Sequence, residues 1–170
     1  PIPCIQLLHC IENEVKGGFS TLVDGFSVAK YLRKNNEDLF EILTKTKVRF
    51  RFVDKTIILE NWGELIELDE NNKVKQVRYS TRLDYVPALE KNELKKFYEA
   101  RKLIADLYAS SKFEIKFRLE KGDLLMMDNH RLLHGRTSYD VSEGKRYLKG
   151  CYIDHDSTEG KLRHLERKFN

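Results

Sequence analysis

Met126-Met127-Asp128-Asn129-His130-Arg131-Leu132-Leu133-His134-Gly135-Arg136 is followed, one turn later, by Lys145-Arg146-Tyr147-Leu148-Lys149-Gly150-Cys151-Tyr152. The apolar run 124–127 reads as a strand leaving a core. A polar turn follows it, and two leucines then deliver His134 to a glycine. Such a layout holds an imidazole on rigid structure beside open space, as a metal ligand requires. Arg146 opens a second apolar and aromatic segment, expected to be the neighbouring strand, where its planar fork can clamp a carboxylate through two parallel hydrogen bonds. One histidine and one arginine do not by themselves define a reaction.

Working outward, Glu120-Lys121-Gly122-Asp123 turns the chain into that strand from 113–119. Strict alternation there points Phe113, Ile115, Phe117 and Leu119 inward. Asn92 is expected to cap the clearest helix, with Leu94, Phe97, Tyr98, Arg101, Ile104, Ala105 and Tyr108 on one face. Before it come strand-like segments at 48–53, 56–59, 65–68 and 74–79. Two helices precede these, one from a cap at Ser27 to Asn35-Asn36 and one over 37–43 that buries Leu39, Phe40 and Leu43. Residues 5–11 read as a strand buried on both faces. Gly17-Gly18 carries a hairpin-type turn signal, with 20–24 as the returning strand. The last strand spans 146–154 and precedes a basic helical tail over 161–170. Many short strands separated by turn signals favour a barrel or jelly roll with helices outside it.

A chain of 170 residues supports one domain with a real core, taken here as 1–170. With 41% hydrophobic and 34% charged residues, the composition is that of a folded soluble protein. The net charge of +4 is too small and too scattered to indicate nucleic acid. No apolar run is long enough to span a bilayer and no signal peptide opens the chain, so no membrane partner is expected. The three cysteines, Cys4, Cys10 and Cys151, sit in apolar contexts without a Cys-x-x-Cys pair. That pattern predicts reduced, buried thiols, a cytoplasmic setting and no zinc site. The abrupt start at Pro1-Ile2-Pro3-Cys4-Ile5 suggests an internal segment of a longer protein.

Of the other histidines, His9 reads as a satisfied core residue, and His130 and His164 as solvated. His155 lies between Asp154 and Asp156, but successive residues of an extended chain point to opposite faces, so this trio does not converge on one ion. There is no serine-nucleophile motif, phosphate-cradling loop or dinucleotide fingerprint.

The stretch 128–136 resembles the carboxy-terminal iron-ligand motif Asp-Asn-Trp-Arg-Leu-Leu-His-Gly-Arg. This motif belongs to the gamma-butyrobetaine hydroxylase and trimethyllysine dioxygenase family, a branch of the TauD/TfdA-like Fe(II)/2-oxoglutarate dioxygenases. The resemblance continues through Gln6-Leu7-Leu8-His9-Cys10, through Gly17 to Phe26 and through Arg146 to Tyr152, in the family's order. It implies a mainly β fold with flanking helices and a double-stranded β-helix (jelly-roll) core, incomplete on its N-terminal side. It also implies His134 as one ligand of a two-histidine, one-carboxylate iron site. Arg146 and Ser20 would bind the far carboxylate of 2-oxoglutarate, and Tyr152 would belong to an aromatic cage around a trimethylammonium group. No catalytic residue beyond the metal ligand is implied.

The chain departs from the family in three places. The His-x-Asp pair that supplies the other two iron ligands falls upstream of Pro1, so the chain alone is expected to be inactive. His130 stands where relatives carry Trp, and Tyr79-Ser80-Thr81-Arg82 replaces a Tyr-Asn-Asn segment. The expected activity of the intact protein is hydroxylation of an unactivated C–H bond, converting gamma-butyrobetaine to L-carnitine. It would consume O2 and 2-oxoglutarate, with ascorbate as a reductant, in a homodimer. The alternatives are trimethyllysine or another trimethylammonium or phosphonate substrate, and, in another class, a non-catalytic relative serving as a binding or dimerisation module. A zinc-binding module is the third reading.

Overall fold

Residues 4–169 are described here from a computed structural model. The strands are β1 (Ile5–Asn13), β2 (Ser20–Asp24), β3 (Lys47–Val53), β4 (Ile58–Glu64), β5 (Ile66–Leu68) and β6 (Val74–Val77). They continue with β7 (Asp84–Tyr85), β8 (Glu114–Phe117), β9 (Leu124–Asp128), β10 (Leu132–Arg136) and β11 (Arg146–Ile153). The helices are α1 (Gly25–Asn35), α2 (Glu37–Lys45), α3 (Lys91–Tyr108) and α4 (His155–Phe169). The strands hydrogen-bond in the orders β11-β1-β9, β10-β2-β8, β4-β3-β7 and β5-β6. The expected mainly β architecture with flanking helices is present. Among the described residues, no helix is long and apolar enough to cross a membrane.

The described residues form two compact units, one comprising 22–115 and 131–133, the other 4–21, 116–130 and 134–169. The chain passes between them within β2, β8 and β10 and in the turn between β9 and β10.

The first unit holds the larger apolar core. Val28, Ala29 and Leu32 of α1, Phe40 and Leu43 of α2, and Phe97, Ala100, Ile104 and Tyr108 of α3 recur at helical spacing and bury together. Val48, Leu65, Ile66 and Val77 join them from the strands. Burying a large side chain of this kind contributes about 1.5–3 kcal/mol. Two expected caps are corrected. Asp24, not Ser27, caps α1, its carboxylate accepting from Phe26 N at 3.1 Å and Ser27 Oγ at 2.8 Å. Asp24 immediately precedes the first helical residue, where its carboxylate reaches the free N–H of the first turn, whereas Ser27 already lies inside the helix. Glu90, not Asn92, is the residue preceding α3, and Tyr98 lies on its exposed face. Strand β4 also runs on to Glu64, past the end of the apolar run, because it pairs along the whole of β3. Gly25 is required where α1 begins: a Cβ there would come within 2.4 Å of Val77 Cγ2 and 2.9 Å of the Arg131 carbonyl.

In the second unit β1 is the central strand. It pairs antiparallel with β9, Ile5 opposite Asp128, and with β11, Ile5 opposite Ile153. Cys10, Val15, Leu119 and Met127 are buried here. Arg118 stitches the segment after β1 into place, donating to Val15 O at 2.8 Å and Asn13 O at 2.6 Å.

Several expectations change in this unit. Only Gln6 and Cys10 of β1 are buried and His9 is exposed, so the strand is not covered on both faces. Leu124 and Met126 are exposed while Met127 is buried, and Ile115 is likewise exposed. An apolar run gives composition without saying which face meets other chain. Gly17-Gly18 does not close a hairpin. Both residues have left-handed φ, +79° and +61°, and β2 pairs with β8 and β10 instead of returning along β1. Of the cysteines, Cys10 is buried, Cys4 half-buried and Cys151 exposed. α4 begins at His155, several residues before the expected tail helix, and none of its described residues is buried.

Candidate active site

Strands β2 and β10 supply the backbone of the site. Their antiparallel ladder continues past the strand ends: Thr137 N donates to Phe19 O at 2.9 Å, Gly18 N donates to Ser138 O at 3.1 Å, and Gly17 bridges Tyr139. The Thr137 hydroxyl also accepts from Phe19 N at 3.0 Å. This register places Thr21 against Gly135, whose Cβ position lies 3.0 Å from Thr21 Oγ1, so a side chain larger than hydrogen would crowd the ladder. Strand alternation then puts Ser20 on the same face as His134, since Ser20 falls opposite Arg136.

Arg146 opens β11, which hydrogen-bonds to β1. The expectation that it lies on the strand next to His134 is therefore corrected: β10 has β2 as its neighbour. The long arginine side chain nevertheless reaches the β2–β10 ladder. Its guanidinium sits over the Tyr139 ring, 5.2 Å from the centroid, and its Nη2 is 3.4 Å from Gly18 O. At Gly18 a Cβ would come within 3.0 Å of Arg146 Nε, so the absence of a side chain makes room for the guanidinium. Arg146 Nε is buried and has no hydrogen-bond partner among the described residues. A buried guanidinium N–H without a partner is costly, and the group that satisfies it best is a carboxylate.

His134 lies at the exposed middle of β10. Water reaches the ring, yet the surrounding protein displaces enough solvent to push its pKa below the usual histidine value. A lowered pKa keeps the imidazole neutral, the form that donates a lone pair to a metal. Ser20 is buried at the start of β2, and Tyr152 is exposed on β11 opposite Gln6. Of the four residues singled out in the sequence, His134 and Ser20 lie on one ladder, Arg146 packs against its extension at Gly18 and Tyr139, and Tyr152 stands on the β1–β11 pair.

Gly18 and Tyr139 also contribute, although the sequence marks Gly18 only as a turn and gives no sign of Tyr139. Paired glycines just before an apolar strand are also a mark of close backbone approach, which is the role Gly18 takes here. A shallow depression of about 650 Å³ adjoins this bed, lined by Lys16, Gly17, Tyr139, Asp140, Val141 and their neighbours. None of the four expected site residues lines it.

The donor set fits one ligand of a metal and one end of a dicarboxylate. Among the described residues, His134 does not belong to any group of three metal-ligating side chains. Among these residues it offers a metal a single imidazole.

Known proteins resemble the chain over nearly its whole length. The chain is 36% identical to gamma-butyrobetaine dioxygenase of Homo sapiens over 171 residues, covering 98% of the chain and 44% of that protein. It is 32% identical to trimethyllysine dioxygenase of Meyerozyma guilliermondii over 165 residues, covering 94% of the chain and 41% of that protein. The chain thus spans less than half the length of these relatives. Among solved structures, an asparagine oxygenase in complex with Fe(II), 2S,3S-3-hydroxyasparagine and succinate superposes with a TM-score of 0.67 at 16% identity. That match covers 89% of the chain and 45% of the other, and supports the jelly-roll core as the shared fold. Residues 1–152 match the model of the taurine catabolism dioxygenase TauD, TfdA family, and the chain belongs to that family.

Proposed function

We propose that residues 1–170 are the carboxy-terminal portion of a single catalytic domain that hydroxylates a trimethylammonium substrate, gamma-butyrobetaine in the first instance. The observation that carries this reading is the Arg146 guanidinium, bedded between Gly18 and Tyr139 with its buried Nε unsatisfied, against the ladder that bears His134. Fe(II), with 2-oxoglutarate as cosubstrate, would supply oxygen activation when bound, 2-oxoglutarate leaving as succinate and CO2.

The chain's own residues bind and orient. His134, kept neutral, presents a lone pair to the metal from a strand that cannot swing. Arg146 takes the far carboxylate of 2-oxoglutarate, which fixes that molecule's other end relative to His134. Ser20, on the same face as His134, adds a hydroxyl donor to the same carboxylate. Tyr152 offers a ring face to a quaternary ammonium, which attracts such a cation although the cation has no N–H to donate. Ascorbate as reductant, a homodimeric state and a cytoplasmic location accompany this proposal.

A second reading, trimethyllysine as substrate, is favoured by the 32% identity to a trimethyllysine dioxygenase. The two are separated by succinate release from the intact protein, supplied with Fe(II), 2-oxoglutarate and O2, across a panel of trimethylammonium compounds. Gamma-butyrobetaine is expected to give succinate and hydroxylated product in equal amounts. Stimulation by trimethyllysine alone would favour the second reading, and no stimulation by any member of the panel would favour a non-catalytic module.

A further inference from the structure

Three half-buried side chains that the proposed reaction does not use meet at one end of the β9-β1-β11 sheet. Cys4 immediately precedes β1, His130 lies two residues beyond β9, and His155 lies two residues beyond β11. Because Ile5 pairs with both Asp128 and Ile153, all three leave the sheet at the same edge. A backbone bond ties the turn that carries His130 to Cys4, Asn129 N donating to Cys4 O at 2.8 Å, and the Asp128 carboxylate braces that turn by accepting from His130 N at 2.8 Å. The His130 and His155 rings are 5.1 Å apart and inclined by 59°. Cys4 Sγ and one ring nitrogen of each histidine all lie within 4.8 Å of one another. Asp128 Oδ1 is 3.9 Å from His155 Nε2.

We propose that Cys4, His130 and His155 bind a zinc ion. A thiolate with two imidazoles is a borderline-soft donor set, which suits zinc and excludes magnesium and calcium. With Zn–N near 2.0 Å and Zn–S near 2.3 Å, donors in a tetrahedral site lie roughly 3.3–3.6 Å apart. Closing the trio onto an ion therefore takes about one ångström of side-chain movement, which rotation at the ends of three elements provides. Binding exchanges the Cys4 thiol proton for the metal, and the proton leaves to solvent. The fourth position falls to water, with the Asp128 carboxylate beside His155 to orient that ring.

The cysteine spacing gives no sign of such a site, because the three side chains converge only through strand pairing. The site would also give α4 an anchor that its wholly unburied surface does not supply.

The test is metal analysis of the intact protein, wild type against Cys4→Ser, His130→Gln and His155→Gln, with Cys151→Ser as control. Each of the three variants is expected to lose one equivalent of zinc relative to wild type. Cobalt reconstitution should show a thiolate-to-cobalt charge-transfer band that Cys4→Ser abolishes and Cys151→Ser retains. Should the variants fail to fold, alkylation of the wild type with iodoacetamide, mapped by peptide mass, supplies the readout. Zinc should slow modification of Cys4 at least tenfold. Equal zinc content in wild type and Cys4→Ser, survival of the cobalt band in Cys4→Ser, or alkylation of Cys4 at the same rate with and without zinc would overturn the proposal.

Discussion

Arg131 holds Asp24 through two parallel hydrogen bonds, Nε to Oδ1 at 3.0 Å and Nη2 to Oδ2 at 2.7 Å. The pair joins the cap of α1 to the turn before β10, and the Arg131 carbonyl accepts from Gly25 N at 2.9 Å in the same place. The arginine's hydrogen bond is the largest influence on the Asp24 carboxyl. It overcomes the opposing effect of burial and lowers the pKa from the ordinary 3.8 to about 2. A carboxylate with a depressed pKa stabilises the fold fully above the ordinary value, and that contribution is lost as pH falls from about 3.8 through about 2. Arg131 is half exposed, so solvent screening reduces the contribution to about 1 kcal/mol. Arg131→Gln should lower denaturant stability at neutral pH by about that amount, with the gap to wild type narrowing as the pH drops below 3.8. Parallel denaturation curves at several pH values check this, and a gap independent of pH would show that the pair is not the source.

Gly18 combines a left-handed φ of +61° with direct contact to Arg146. Gly18→Ala should therefore act at a distance from its own chemistry. The strained backbone costs about 1 kcal/mol, and the new methyl group pushes on Nε. In steady-state assays of the intact protein, the half-saturating 2-oxoglutarate concentration should rise about 3- to 10-fold, with a smaller change for the trimethylammonium substrate. A change confined to the amine substrate would remove Gly18 from the Arg146 bed.

Tyr152 is 60% exposed on β11, which leaves its ring face open to a ligand. Tyr152→Leu keeps the apolar bulk and removes the π face. A loss of about 1 kcal/mol, or roughly 5-fold in affinity, is expected for a trimethylammonium substrate, with little change for its uncharged tert-butyl analogue. Equal losses for both compounds would assign Tyr152 to packing.

The legible part of the fold was the part that a short period encodes. Val28, Leu32, Phe40, Leu43, Phe97, Ile104 and Tyr108 recur at helical spacing and do enter one core. Sheet membership was not legible, because Gly17-Gly18 has the composition of a hairpin turn while its φ angles and the bridge to Tyr139 carry the chain into another sheet. Burial within apolar runs was equally hidden: Met126 and Met127 are neighbours of one type, the first exposed and the second buried.

At the site, His134 and Arg146 stood out through their setting in the sequence. That Arg146 reaches the ladder bearing His134 through its side chain, and not from a neighbouring strand, depends on strand order, which local sequence does not carry. The convergence of Cys4, His130 and His155 is of the same kind, since the three are distant in sequence and brought together by strand pairing.

The most direct test of the account is the effect of Arg146→Ala in the intact protein on the two small-molecule requirements, measured side by side. Removing a charge-assisted carboxylate clamp costs about 1.5–3 kcal/mol, so half-saturation by 2-oxoglutarate should rise roughly 10- to 100-fold. Half-saturation by the trimethylammonium substrate should move by less than about threefold, and Arg146→Lys should restore only part of the loss, because a single ammonium does not reproduce the fork. Equal shifts for both molecules, or full rescue by lysine, would contradict the assignment of Arg146 as the 2-oxoglutarate clamp.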